Sequence, residues 1–250
     1  MIPDRADIDR ARRLIAPHCL RTPLVRLDPM RAESFAAGAE VYLKLENLQP
    51  IGAFKLRGAA AVVGELAAAE MERGLVTASA GNMAQAVAYL ARELGVSCTV
   101  LMPDFAPQSK VAASERLGAR VILITYEQWW RAFQERGFPG IEGTFIHAFD
   151  DTRVMAGNGT IAWEILEDLP QADAIVTPWG GGGLTCGVAA AVRALRPSCR
   201  VVAAEVAGAA PLAASLAAGR PTEIEFTSSF VDGIGSRSVF PQMFERANRL

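Results

Sequence analysis

The sequence is short of the features that mark several protein classes, and each shortage removes a class. Cysteine is scarce: Cys19, Cys98, Cys186 and Cys199 are the only four, and none forms a C-x-x-C pair. Neither a disulfide framework nor a zinc site is expected from that spacing. A surplus of either charge is also missing, with 25 Lys plus Arg against 27 Asp plus Glu and a net charge of −2. Nucleic acids and anionic membranes call for a basic patch. The basic clusters here, Arg10, Arg12 and Arg13 and then Arg193 and Arg196, are short and mixed with acidic or apolar residues, as on solvated helix faces. No apolar run approaches the ~18 residues of a membrane span. The N-terminus, MIPDRADIDRARRL, is charged and amphipathic, unlike a signal peptide. These absences predict a cytoplasmic protein with no nucleic-acid partner, no membrane partner and no metal.

What is present is a globular composition. Of 250 residues, 51% are hydrophobic and 22 are glycine, enough for one large domain or two small ones with a sizeable core. After residue 40 two patterns alternate. Short runs rich in β-branched residues predict strands at 41–45, 75–79, 97–102, 119–124, 144–148, 174–178 and 200–205. Ala-rich stretches with helical period fill 54–69, 82–94, 108–117, 127–136, 158–169, 184–195 and 209–218. Gly74, Gly95 and Gly118 sit where glycines end helices, and Pro170 and Pro197 stop two more. This alternation predicts an α/β fold with parallel sheets and helices on both faces. The four strands of 75–148 suit a sub-domain inserted in a larger one, while 219–250 lose the rhythm and read as irregular.

In such folds ligands bind at the carboxyl ends of strands, in the loops that enter helices. Three loops stand out. The stretch TPWGGGGLTCG, 177–187, has four consecutive glycines between a strand and a helix. Unshielded N–H groups there suit a phosphate, and a plain turn needs only one or two glycines. The loop is neither a Walker A motif nor a G-x-G-x-x-G fingerprint. Glu205, at the end of the next strand, keeps a dinucleotide reading open. The stretch ASAGNMAQA, 78–86, brings Ser79, Gly81 and Asn82 to a second strand-to-helix loop, suited to a carboxylate or to simple capping. In QPIGAFKLRGAA, 49–60, Lys55 falls in the first turn of a helix among apolar neighbours. The helix dipole and desolvation both disfavour a charged ammonium there, which suits a Schiff-base amine. A phosphate cradle, such an amine and a carboxylate loop together describe a site for pyridoxal 5′-phosphate and an amino acid.

With these motifs in order, the chain resembles the fold-type II pyridoxal-phosphate enzymes, within them the threonine/serine dehydratase and serine racemase group. The blocks that carry the resemblance are LENLQPIGAFKLRGA, TASAGNMAQAVAYLARELG, VMAGNGTIAWEIL and VTPWGGGGLTCGVAAAVRALRP, spread over about 20–240. The resemblance implies two parallel-sheet, three-layer α/β/α domains of the tryptophan-synthase-β type. A large cofactor-binding domain would take 1–74 and 149–250, and a small substrate-loop domain 75–148. It implies Lys55 as the Schiff-base residue that shuttles the α-proton, and Phe54 as a wall of the cofactor pocket. Gly180, Gly181, Gly182, Gly183 and Leu184 would hold the phosphate, and Asn82 the cofactor's 3′-oxygen. Ser79, Ala80, Gly81, Asn82 and Met83 would line the substrate carboxylate site. The implied assembly is a homodimer.

Departures from the family's pattern shape the expected activity. Ala80 stands where the racemases carry a serine that acts on the opposite face of the substrate, which favours elimination. Met83 stands in place of a histidine and reshapes the substrate pocket. The chain also ends before the segment that, in the family, meets the pyridine nitrogen. Pro211 falls where a second acid would be needed for the divalent-metal site that begins at the position of Glu205. The expected reaction is a dehydratase-type ammonia-lyase converting L-threonine or L-serine to a 2-oxo acid and ammonia. The alternatives are a β-replacement enzyme of the cysteine synthase kind, a non-catalytic cofactor-binding protein with a short C-terminus, and a nicotinamide-dependent oxidoreductase built on the glycine loop.

Overall fold

A computed structural model describes residues 1–28, 38–231 and 233–250. The first helix, α1 (Arg5–Ile15), is fixed by a reciprocal cap: Asp4 accepts the Asp7 N–H, and the Asp7 carboxylate accepts the Asp4 N–H. Ile8, Ala11 and Ile15 recur at helical period and are buried. Two short strands follow, β1 (Leu24–Arg26) and β2 (Tyr42–Lys44), and they pair antiparallel. The strand expected at 41–45 therefore sits outside the parallel sheets. Its partner is only three residues long, too short to announce itself in the sequence pattern.

Four strands, β3 (Leu75–Ala78), β4 (Cys98–Pro103), β5 (Arg120–Ile124) and β6 (Thr144–Phe145), form a parallel sheet in the order β5-β4-β3-β6. All of β3 and almost all of β4 is buried, as a strand covered on both faces requires. The crossovers are α4 (Asn82–Leu94), α5 (Gln108–Arg116) and α6 (Tyr126–Glu135). Right-handed connections running β3 to β4 to β5 put α4 and α5 on one face. The return from β5 to β6 runs the other way across the sheet and puts α6 on the opposite face. Strand order thus reverses between β3 and β6, which opens a crevice beyond their carboxyl ends. The loops at that crevice are 79–81 and 146–151. Gly95 closes α4 in the left-handed conformation at φ 68°, its N–H returning to Ala91 and Arg92.

The other parallel pair is β7 (Ala174–Pro178) with β8 (Arg200–Ala204), joined through α8 (Gly183–Leu195). Ile175 and Thr177 are buried, while Val176 and Val202 on the other face are exposed. The expectation of helices on both faces holds for the first sheet and not for this one. The remaining helices are α2 (Lys55–Val63), α3 (Ala68–Glu72), α7 (Thr152–Asp168), α9 (Pro211–Ala218) and α10 (Pro241–Arg249). The single helix expected over 54–69 is broken at Gly64 into α2 and α3. The stretch 219–250, read as irregular, contains α10. Proline opens α10 and Met243 and Phe244 are buried beside Trp179 and Leu212.

Helix α7 is the spine that positions the site. Asp151 caps it, accepting the Arg153 N–H at 2.8 Å. Its glycines are imposed by neighbouring backbone. A Cβ on Gly157 would lie 2.4 Å from the Arg57 carbonyl oxygen in α2, and one on Gly159 would lie 2.8 Å from the Gly187 carbonyl oxygen in α8. A Cβ on Gly187 would in turn lie 2.2 Å from the Met155 carbonyl oxygen. So α2 and α8 both press their N-terminal halves, backbone to backbone, against the first half of α7. Both helices then open toward the residues just before α7.

A buried charge cluster anchors α2 from behind. The Arg57 guanidinium, 1% exposed, forks onto Glu46 (both bonds 2.8 Å) and onto Glu164 (2.6 and 2.9 Å). Lys44 donates to Glu164 and to the Thr22 carbonyl, each at 2.6 Å. Two cations and two carboxylates make the cluster neutral. Burial alone would lower the Arg57 pKa, but the hydrogen bonds and charges of Glu46 and Glu164 outweigh it and hold it above the ordinary value.

Candidate functional site

Lys55 is the first residue of α2, as its place in the sequence predicts. Its ammonium has no carboxylate partner among the described residues. Nζ donates to the Ala148 carbonyl oxygen at 2.9 Å and lies 5.3 Å from the centre of the Phe54 ring. Burial lowers its pKa to about 8. With that value roughly a quarter of the amine is neutral at pH 7.5, against about one in a thousand for an ordinary lysine. Phe54 precedes it, half-buried against the main core.

The residue after Ala148 reaches the glycine loop. A Cβ on Gly181 would lie 2.0 Å from the Phe149 ring, and one on Gly183 would lie 2.9 Å from the Phe149 Cα. Gly182, at φ 87°, would place a Cβ 2.5 Å from the Trp179 ring. Gly180 has room for a side chain, its Cβ position being 3.6 Å from Ile234. Three of the four glycines therefore answer to Phe149 and Trp179 beneath them. No side chain caps α8, whose first turn begins at Gly183 and Leu184, so its N–H groups are open to an anion. Thr177 and Thr185 tie the strand to the helix across the loop, Oγ1 to Oγ1 at 2.9 Å.

The second loop follows β3. The Ser79 hydroxyl accepts the Gly81 N–H at 3.1 Å. The cap position of α4 is Gly81, and Asn82 is the first helical residue, exposed to solvent. Asn82 is thus not the cap that its residue type suggests. With no side-chain cap on α4 and nothing within 4 Å of a Cβ on Gly81, the N-terminus faces open space. Ala80 is half-buried and brings no titratable group. Met83 points elsewhere than expected, its side chain lying in the core at 1% exposure. With the side chain packed in the core, the backbone is the part of Met83 left to face the loop.

The two loops share an edge with Lys55. Ile146 continues β6 beside β3, its N–H donating to the Val76 carbonyl at 2.7 Å, while the Thr77 hydroxyl donates to the Ile146 carbonyl at 2.8 Å. Residues 146–149 then run from β3 past the Lys55 amine to the glycine loop. The strand expected at 144–148 is shorter, since β6 stops at Phe145 and His147 and Ala148 lie in the loop that follows. The signal was its place, a loop at the carboxyl end of a strand.

Other candidates resolve into structural roles. Both carboxylate oxygens of Glu205 accept N–H groups of α9, from Leu212 and Ala213 at 2.9 Å each. That occupies the acid on which the dinucleotide reading relied. No group of His, Cys, Asp and Glu suited to a metal occurs among the described residues. The four cysteines are free, and burial pushes the thiols of Cys19, Cys98 and Cys186 up to about 12. No helix among the described residues is long and apolar enough to cross a membrane.

The chain is similar to known proteins in sequence and in fold. Over 245 residues the chain is 39% identical to the L-threonine ammonia-lyase of Thermotoga maritima, covering 96% of this chain and 59% of that protein. It is 37% identical to the catabolic L-threonine dehydratase TdcB of Staphylococcus aureus, covering 98% of this chain and 70% of that one. The solved structure of maize serine racemase superposes with a TM-score of 0.87 at 32% identity, over 100% of this chain and 77% of that one. The chain thus spans about three-fifths to seven-tenths of the curated relatives' length. The family model described as pyridoxal-phosphate dependent enzyme matches residues 15–250, which include the lysine, both loops and the turn between them, and the chain belongs to that family.

Proposed function

We propose that this chain carries the reaction centre of a dehydratase-type ammonia-lyase acting on L-threonine or L-serine. The observation that carries the reading is the continuity of residues 148 and 149. Ala148 holds the lowered-pKa amine of Lys55, and Phe149 lies against the glycines of an uncapped helix N-terminus. An amine and an anion cradle on consecutive residues fit a molecule with an aldehyde at one end and a phosphate at the other. Pyridoxal 5′-phosphate, when bound, supplies an electron sink for the substrate's α-carbon.

The chain's own residues do the rest. Lys55 would hold the cofactor covalently, and its amine, once displaced by the substrate's own amine, would be the base that takes the α-proton. The N–H groups of Gly180, Gly181, Gly182, Gly183 and Leu184 bind the phosphate, with Phe54 as a wall of the pocket. Asn82 hydrogen-bonds the cofactor's 3′-oxygen. Ser79, Ala80, Gly81 and the Met83 backbone hold the substrate carboxylate at the open end of α4. Ala80 offers no proton on the opposite face, which would favour loss of the α-hydrogen and β-hydroxyl together as water over inversion; the eliminated product, taking up one water, would give a 2-oxo acid and ammonia. Homology to proteins named threonine ammonia-lyase and dehydratase supports the substrate class.

The same reading divides the chain into a large cofactor-binding domain, 1–74 and 149–250, and a small substrate-loop domain, 75–148. In support, the four-stranded sheet is built wholly from residues between Leu75 and Phe145. It also takes the protein as a cytoplasmic homodimer, which sedimentation velocity would check. The decisive experiment adds pyridoxal 5′-phosphate to the parent and to Lys55→Ala, reduces with borohydride, and measures 2-oxo acid from L-threonine and L-serine. The parent should carry the label on Lys55 and form oxo acid, and Lys55→Ala should do neither. Equal turnover in the two proteins would sink the proposal. A labelled parent that is inert with both substrates would leave the cofactor site standing and remove the dehydratase.

A further inference from the structure

His147 has no role in the reading above, yet it sits at the joint of the site. It is 3% exposed, and its ring lies 4.2 Å from the centre of Phe133 and edge-on to Phe149 at 4.9 Å. Its Nδ1 accepts two backbone N–H groups, from Phe149 at 3.2 Å and from Asp150 at 2.8 Å. A nitrogen that accepts two hydrogen bonds carries no proton, so the ring is neutral with its proton on Nε2. Both N–H groups lie in a turn that no strand continues, and Nδ1 is the acceptor that closes it.

That turn holds both ends of the proposed cofactor site. Ala148, between His147 and the first gripped N–H, presents the carbonyl that receives Lys55 Nζ at 2.9 Å. Phe149, whose own N–H is gripped, presents the ring and backbone that press on Gly181 and Gly183. The far side of the turn is also pinned. The Arg246 guanidinium in α10 donates to the Asp150 carboxylate, and Arg136 donates to the Asp150 carbonyl at 2.6 Å. With Asp150 held from outside, the conformation of residues 148 and 149 is left to Nδ1.

We propose that His147 is a positioning residue for the cofactor. Through Nδ1 it fixes the turn 147–150 and so sets the spacing between the Lys55 amine and the glycine cradle. It touches neither cofactor nor substrate. The inference rests on the reading of Lys55 as the cofactor-binding amine.

The test uses the complete chain with pyridoxal 5′-phosphate and three variants. In His147→Asn the side-chain oxygen can occupy the place of Nδ1. In His147→Gln it falls near the place of Nε2, and His147→Leu offers no acceptor. The readouts are the dissociation constant from the visible absorbance of the bound cofactor, and the fraction of Lys55 labelled after borohydride reduction at fixed cofactor concentration. His147→Asn should bind within about threefold of the parent, and His147→Gln and His147→Leu about tenfold or more weaker, the scale of one lost buried acceptor. Circular dichroism and thermal melts establish which variants are folded. If His147→Leu does not fold, the comparison of Asn with Gln decides. Equal affinity and labelling in the Asn and Gln variants would overturn the inference, as would folded variants that all match the parent. A parent that is not labelled on Lys55 would remove the reading of that lysine and this inference with it. A labelled parent with indifferent His147 variants removes the inference alone.

Discussion

At the scale of single residues, burial does the chemistry by deciding which form of a group survives. It lowers Lys55 to about 8 and so supplies a neutral amine. It lowers His147 to about 3, with Arg136 and Lys55 adding to the shift and Asp150 and Asp151 opposing it. The sign of the consequence follows from linkage. Folded His147 stays neutral while the unfolded chain takes up a proton below about 6.5, so the unfolded state gains protons as pH falls. The stability that the neutral ring contributes is full above pH 6.5 and is lost as pH drops toward 3. Between pH 6.5 and 5 carboxylates contribute little, and one such group should cost the parent about 1.5 kcal/mol. Urea unfolding at the two values measures the slope, and His147→Asn should remove about 1.5 kcal/mol of it, leaving only the small carboxylate share, whatever its own stability. A parent equally stable at both values, or a variant with the parental slope, would contradict the burial of a neutral ring.

At the scale of elements, close approach of three helices places the site. Helix α7 touches α2 and α8 through glycine, so that Lys55 and Gly183 open on the same turn. Gly157 is the tightest point against α2, because the neighbour is a carbonyl of the backbone and cannot swing aside. Gly157→Ala should cost about 3 kcal/mol and lower the melting temperature by roughly 6–12 °C. Gly137→Ala is the control, with nothing within 4 Å of its Cβ position, and should stay within about 0.5 kcal/mol. Equal melting temperatures for the two variants would mean that α7 and α2 stand farther apart. The same contact explains what the sequence concealed. The glycines of VMAGNGT lower helix propensity, so the expected helix began at 158 and α7 begins at Thr152. Lys55, the four glycines and the loop after β3 were legible because each has a local signature, a misplaced charge or a run no turn requires. The joint at His147 takes its meaning from Lys55 and Arg246, each more than ninety residues from the turn residue it contacts, and the inward side chain of Met83 from the packed core, while the capping by Glu205 is local but crosses a loop with no turn signature. Helix α10 had a signal, Pro241 followed by Met243, Phe244, Ala247 and Leu250 at helical spacing. Its few apolar residues lie among charged neighbours, and the loss of the βα rhythm hid them.

At the scale of the whole molecule, a buried charge cluster ties together segments that are distant in the sequence. Arg57, Glu46, Glu164, Lys44 and the hydroxyl and carbonyl groups of Thr22 join the segment before β1, the end of β2 and the turn after it, helix α2 and helix α7. Such a cluster is costly to bury and is tolerated because it is neutral and hydrogen-bonded throughout. Burial pushes Glu164 up, and the hydrogen bonds and charges of Arg57 and Lys44 more than offset this, holding it below the usual carboxylate range. Its contribution is therefore present above the unfolded carboxylate's pKa and lost as pH falls through the lower folded value. Glu164→Gln should cost about 3 kcal/mol, because it leaves two cations beside one carboxylate with no water to screen them. Lys44→Met in the same chain restores the balance of one cation to one anion and replaces an ammonium by an apolar stem. The double variant should therefore be more stable than Glu164→Gln alone, by about 1 kcal/mol or more. If net charge in the cluster is what matters, this sign holds. If individual hydrogen bonds matter more, the two losses add and the double variant is the less stable of the pair. Urea unfolding of the four proteins of the cycle distinguishes the two outcomes.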